Sequence, residues 1–285
     1  MIPEQLYQRD IYGQSLVKLG VLNKDIVVLD ADLSSSTRTN LFAQQFPDRF
    51  FNFGVAEQNM LAAAAGLASC GKMVFVSTFA VFASGRAWDQ VRLAISYNNF
   101  NVKIVATHAG ITVGPDGASH QALEDIALMR VLPNMNIIVP CDGPQTADAV
   151  EAAANHPGPF YIRLGRPKVA TIENKGEFKF GQAQVISEGN AATIIACGIM
   201  VSEALLAVKN LAQQGIKVRL INMHSIRPLD NEVILKAAKE TKLIIACEEH
   251  NIIGSLASAI DEIVAENFPV KVIRIGIRNR FGQSG

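Results

Sequence analysis

Short apolar runs alternate with longer segments of helical period along the first half of the chain. The runs are Ile26 to Leu29, Met73 to Val76, Val102 to Ala106 and Asn136 to Val139. Between them lie Glu4 to Leu22, Ala56 to Cys70, Phe79 to Asn98, Ala122 to Val131 and Pro144 to Asn155. An apolar run without polar alternation signals a strand covered on both faces, and an intervening helix supplies the crossover that parallel pairing requires. The pattern predicts an α/β domain whose mostly parallel sheet is flanked by helices. It breaks at Arg166 to Gly181, where Pro167, Thr171, Asn174, Lys175, Gly176 and Glu177 read as a linker. A second series then follows, with strands at Ala192 to Ala196, Val218 to Ile221, Leu243 to Ala246 and Val270 to Ile275. Its helices are Val201 to Gln214, Asn231 to Thr241 and Ile253 to Asn267. The expected organisation is two α/β domains, 1–168 and a smaller 182–285, joined by 169–181.

Charge narrows the partners. The 26 basic and 26 acidic side chains cancel, so no overall field draws in nucleic acid or an anionic membrane, and neither is expected as a partner. Any anion must be caught by a local site. Apolar stretches such as Leu61 to Ala68 are too short to span a bilayer. Met1 to Asp10 carries polar residues with no apolar run behind them, which reads as neither a signal nor a transit peptide. Cys70, Cys141, Cys197 and Cys247 form no Cys-x-x-Cys motif. A reduced, cytoplasmic chain is the expectation.

Four segments place polar residues at strand ends or helix starts, where open α/β sheets hold their ligands. Asp30 to Arg38, with Asp32 and Ser36, offers hydroxyls and amides to an anion or simply caps a helix. Phe50 to Asn59 sets Glu57 in a first helical turn among apolar neighbours, where a buried acid needs a partner or takes up a proton. In Phe79 to Gln90, Phe79 and Phe82 are spaced to share one helical face, a pattern of core packing as readily as of a ligand platform. Thr107 to Gln121 carries His108, Asp116 and His120 in a glycine-rich loop. That spacing does not suit a helical zinc motif, so no metal ligand is expected, and proton transfer or sugar contacts fit better. Arg163 and Arg166 follow a strand, as surface charges or an anion fork.

Taken together, Asn52 to Gly66, Ser77 to Phe82 and Thr107 to Glu124 resemble, in order and spacing, the pyrimidine-binding domain of the transketolase family. Met223 to Asp230 and Glu248 to His250 similarly resemble its C-terminal domain. The resemblance implies transfer of a two-carbon ketol unit from a ketose phosphate to an aldose phosphate with thiamine diphosphate. It casts Glu57 as the catalytic acid at the cofactor's pyrimidine N1′ and Phe79 and Phe82 as the aromatic platform, with Asp32 also among the cofactor-binding residues. Ser36, His108 and Arg166 match substrate-phosphate contacts. Asp116 matches a reader of a donor hydroxyl, and His120 a catalytic and substrate-binding position near the reacting carbon.

Two departures accompany the match. Gly85 stands where the family's platform helix usually carries a third aromatic, with Arg86 and Trp88 beyond it. The family's magnesium motif, Gly-Asp-Gly, occurs nowhere in the 285 residues. The resemblance therefore implies the C-terminal subunit of a split transketolase, paired in a two-plus-two assembly with an N-terminal subunit that holds the diphosphate and magnesium. The competing readings are the β subunit of a 2-oxo acid dehydrogenase, a deoxyxylulose-phosphate synthase-like enzyme and a non-catalytic scaffold of the same fold. The paired histidines and the Asp116-Gly117 step favour a sugar-phosphate enzyme over the first, and Thr107-His108 stands where the second usually has Asp-Arg.

Overall fold

The computed structural model describes residues 4–173 and 175–283. Asn174 of the expected linker lies outside the described residues. In chain order the strands of the first unit are β1 (Gln5–Tyr7), β2 (Ile26–Asp30), β3 (Phe50–Asn52), β4 (Met73–Phe79), β5 (Val102–Thr107), β6 (Asn136–Ile138), β7 (Phe160–Arg163) and β8 (Lys168–Ala170). Those of the second are β9 (Gln184–Ser187), β10 (Thr193–Ala196), β11 (Arg219–Asn222), β12 (Ser225–Arg227), β13 (Leu243–Asn251) and β14 (Lys271–Ile277).

A seven-stranded sheet runs in the order β12-β6-β7-β5-β4-β2-β3, parallel throughout except at β12. Both faces are covered, which explains the unbroken apolar runs. Val27 and Leu29 face one core with Met60, Leu61 and Ala64 of the helix Glu57–Ser69. Ile26 and Val28 face another with Tyr12 and Leu16 of the helix Gln8–Leu22 and Val150 of the helix Gly143–Asn155. That last helix starts where Asp142 accepts the Gln145 N–H at 2.8 Å, with Pro144 in its first turn. The second unit is a five-stranded sheet, β14-β13-β10-β11-β9, in which only β9 runs antiparallel. Its helices are Met200–Gln213, Asn231–Thr241 and Leu256–Asn267.

Beside the strands β3, β7 and β9, which no run in the periodicity reading marks, three further features differ from it. Glu4 to Leu22 divides into β1 and a helix, with β1 pairing antiparallel to β8 inside the expected linker. Asp142 holds the segment further on, accepting the Ile172 N–H at 2.9 Å and Lys175 Nζ at 2.6 Å. Phe79 to Asn98 is not one regular helix: Phe79 ends β4, and two π-helical stretches, Phe82–Arg86 and Gln90–Ser96, follow. Finally, the second unit donates β12 to the first unit's sheet, Ser225 pairing with Ile138 and Arg227 with Ile137. One continuous core includes Ile137 and Val139 from the first unit and Ile195, Ile221 and Met223 from the second.

Candidate active site

The singled-out residues follow the C-terminal ends of five parallel strands. Asp32 and Ser36 follow β2, Glu57 follows β3, Phe79 ends β4 with Phe82 beyond it, His108, Asp116 and His120 follow β5, and Arg166 follows β7. Parallel pairing puts those ends on one side of the sheet, so a fold argument alone gathers residues scattered over more than a hundred positions.

Glu57 opens its helix and is only 4% exposed. The partner that burial demands is Arg86, whose Nη1 donates to Glu57 Oε1 at 3.1 Å. The Arg86 guanidinium also lies over the Phe82 ring, 4.1 Å from its centre. Phe79 and Phe82 stack with centroids 5.9 Å apart and planes 20° from parallel, although strand and π-helical stretch, rather than one helical face, bring them together. His108 stacks on Phe79 at 3.9 Å. His120 stands edge-on to both rings, 6.0 Å from Phe79 and 5.3 Å from Phe82. An acid, two aromatic faces and two imidazoles thus converge.

Cations gather beside the imidazoles. Burial, then the charges of Arg9 and Arg166, lower the His108 pKa to about 4, so this ring is neutral at pH 7. Its Nδ1 shares a hydrogen bond of 2.9 Å with Thr107 Oγ1. Arg9 donates to the Ser36 carbonyl oxygen at 3.4 Å, and burial and neighbouring Arg38 hold its guanidinium below the ordinary range. Arg166 faces Asp116 at 3.8 Å. The Nε atoms of both Arg9 and Arg166 are buried without a hydrogen-bond partner. Clustered like charges fit an anionic ligand, although Asp116 already faces Arg166 as a counter-ion. Asp32 instead ties strand ends together: its N–H donates to Asn52 Oδ1 at 3.1 Å, and its Oδ1 accepts from Asn52 Nδ2 at 3.2 Å.

The loop bearing His108, Asp116 and His120 is fixed from the second unit. Glu249 Oε1, on β13, accepts the N–H groups of Ile111 and Thr112, each at 2.8 Å. Burial pushes the Glu249 carboxyl above the usual range, while Arg163 and the loop donors pull it back. Gly110 has φ +83°, and a Cβ there would fall 2.2 Å from the Glu249 carboxyl carbon, so both dihedral and space call for glycine. Beneath the loop, Arg163 Nε donates to Asp125 Oδ2 at 2.8 Å, and Tyr161 Oη donates to the same oxygen at 2.8 Å. Arg163 Nη2 also donates to the Glu249 carbonyl at 3.0 Å, so the fork is buried and structural.

Sequence reading leaves out Arg9, Arg86 as a partner, and Glu249 as a loop anchor. The clustering of arginines at one end of the sheet is a usable signal for Arg9. The other two contacts span 29 and 138 residues, and no local pattern announces them.

The chain is built on two mostly parallel sheets flanked by helices. It belongs to the transketolase family: the family's pyrimidine-binding domain matches residues 4–171, and its C-terminal domain matches 181–285. Among its relatives, the 6-deoxy-6-sulfo-D-fructose transketolase subunit of a Clostridium species is 42% identical, over 99% of this chain and 88% of that one. An apulose-4-phosphate transketolase subunit of Phocaeicola vulgatus is 40% identical, over 94% and 86% respectively. A solved split-gene transketolase, described as an inactive β4 tetramer, superposes with TM-score 0.89 at 49% identity, covering 96% of this chain and 90% of its own. The chain matches each of these relatives over most of its length.

Proposed function

We propose that this chain is the C-terminal subunit of a two-chain transketolase, transferring a two-carbon ketol unit between sugar phosphates in a two-plus-two assembly. Its N-terminal partner would supply the Gly-Asp-Gly motif, the diphosphate site and magnesium. The observation that carries the reading is the convergence of Glu57, Phe79, Phe82, His108 and His120 on a cluster of arginines at one sheet end. The relatives named as subunits support the division into two chains.

The donor set suits the aminopyrimidine end of thiamine diphosphate, which pairs a flat arene with ring nitrogens. When bound, that cofactor supplies the carbanion-stabilising chemistry of ketol transfer. Glu57, near-fully buried, would donate its proton in a hydrogen bond to the ring nitrogen, and Phe79 and Phe82 would fix the ring plane. With Nδ1 accepting from the Thr107 hydroxyl, neutral His108 would offer Nε2–H to a substrate oxygen, while the charges of Arg9 and Arg166 would draw an anionic sugar end, with Ser36 nearby. His120 stands over the aromatic pair, placed to exchange a proton near the reacting carbon, and Asp116 to read a donor hydroxyl. Magnesium would be held by the partner chain. A cytoplasmic setting belongs to the same reading; no described helix is long and apolar enough to cross a membrane.

The purified chain, given ketose phosphate, aldose acceptor, thiamine diphosphate and magnesium, should show no turnover, and adding a Gly-Asp-Gly partner chain should restore it. Full turnover by the chain alone would overturn the proposal.

A further inference from the structure

Arg86 makes two contacts that a bound aminopyrimidine would also claim. Its Nη1 holds Glu57 Oε1 at 3.1 Å, and its guanidinium lies 4.1 Å from the centre of the Phe82 ring. Its own backbone is fixed: the Arg86 carbonyl accepts from Gln58 Nε2 at 3.0 Å, at the end of the π-helical stretch Phe82–Arg86. π-helical turns of this kind often mark functional sites.

The pair is asymmetric. The Glu57 side chain is 4% exposed and the Arg86 side chain 51%. The acid needs a partner where it sits, whereas the cation can be hydrated as soon as it lets go. The demands on Glu57 also conflict. A guanidinium donates, and it stabilises the carboxylate. A pyrimidine ring nitrogen accepts, so it requires the carboxylic acid with its proton. A carboxylic acid could accept on one oxygen while donating from the other, but the cation opposes the protonation that donation requires, and its place over Phe82 is the one a stacked ring would take.

We propose that Arg86 is a positioning residue that holds Glu57 as the anion until the aminopyrimidine arrives, and so sets cofactor affinity. On binding, the Glu57–Arg86 ion pair breaks, the guanidinium leaves Phe82 for solvent, and Glu57 takes up one proton from solvent to donate to the ring nitrogen. No covalent bond between heavy atoms changes. The proposal rests on the reading of Glu57 given above.

The test uses the assembled two-chain complex, titrated calorimetrically with thiamine diphosphate and magnesium in buffers of different ionisation enthalpy. The wild-type complex should take up close to one proton per cofactor. Arg86→Met should bind the cofactor about tenfold more tightly and take up less, since no cation then holds the buried acid ionised. Arg86→Lys keeps the stem and the charge without the flat fork, and should gain about threefold; it carries the comparison if the Met variant fails to assemble. Equal or weaker binding by these variants, or unchanged proton uptake, would overturn the proposal. The underlying reading is tested apart from it: Glu57→Gln with full turnover removes the role of Glu57 itself, whereas an inactive Glu57→Gln beside an unaltered Arg86→Met removes only the role of Arg86.

Discussion

Glu249 holds Ile111: a carboxylate oxygen on β13 receives a backbone N–H from a loop 138 residues earlier, at 2.8 Å. The same oxygen takes the Thr112 N–H, so the second unit grips the loop that carries Asp116 and His120. Glu249→Ala should leave both amides without their partner. We expect hydrogen exchange at Ile111 and Thr112 to quicken by about tenfold or more, with a loss of about tenfold in kcat/KM of the assembled enzyme. Unaltered exchange at those amides would show the loop to be held by other contacts.

The buried acid offers a sharper chemical test. Glu57→Gln keeps the shape and an amide donor but cannot give up or regain a proton. Activity of the assembled complex should fall by about two to four orders of magnitude, with the far-ultraviolet circular dichroism unchanged. A variant retaining more than about a tenth of wild-type turnover would be incompatible with proton donation by Glu57.

His108 and Arg166 should act through the anionic end of the sugar. Replacing either with alanine removes a polar group from the cluster that Arg9 and Arg166 form beside His108. The expected effect is a rise in KM for phosphorylated sugars of about tenfold or more, with unphosphorylated analogues much less affected. Steady-state kinetics on matched pairs of sugars decide the point: equal losses on both would argue against anion recognition.

Asp125→Asn addresses the joint beneath the site. Burial alone would raise the Asp125 carboxyl, yet Arg163 and then His250 hold it below its usual range. Removing the charge strands the buried Arg163 guanidinium. Breaking one side of such a pair costs about 3–5 kcal/mol, readable as a fall in the urea midpoint. A change under about 1 kcal/mol would mean that Arg163 finds another partner.

Lys103 predicts a pH dependence of stability. Its Nζ is buried on the carbonyls of His156 and Gly158, at 2.8 and 2.6 Å, and burial lowers its pKa from 10.5 to about 7. Between those values the unfolded chain binds the proton and the folded chain does not. Stability should therefore rise with pH from about 7 to about 10.5, with a slope of at most about 1.4 kcal/mol per unit from this group. Denaturant midpoints at about pH 7 and about pH 9 should diverge less for Lys103→Met than for wild type. Identical pH profiles would remove Lys103 as the source.

The parallel sheets and the strand-end site are legible in the sequence because both depend on short-range pattern. Ile26 to Leu29 announces β2 through continuous apolar character, and the helical period of Asn231 to Thr241 announces a helix there, which Asp230 caps by accepting the Val233 N–H at 3.2 Å. Thr107 to His120 then falls at a strand end by construction, whereas the strand before Glu57, β3, is only three residues long and is not marked by an apolar run of its own. What stays hidden depends on distant packing. β12 has only three residues, Ser225 to Arg227, and no apolar run, so its pairing with β6 emerges only when the two units meet. Phe79 reads as helical because it sits three residues before Phe82, while the apolar run of β4 carries the strand through to it. The need of Glu57 for a partner is evident from its neighbours, but Arg86 reaches it only through the π-helical stretch.

β12 also bears on synthesis. A nascent chain that has emerged as far as β8 still presents β6 as an open edge of its sheet, with unpaired backbone groups able to template a neighbouring chain. The ribosome must deliver residues 225–227 before that edge is sealed. The first unit thus completes its sheet only after much of the second has been translated, and a ribosome stalled just after β8 would leave tethered an adhesive intermediate rather than a finished domain.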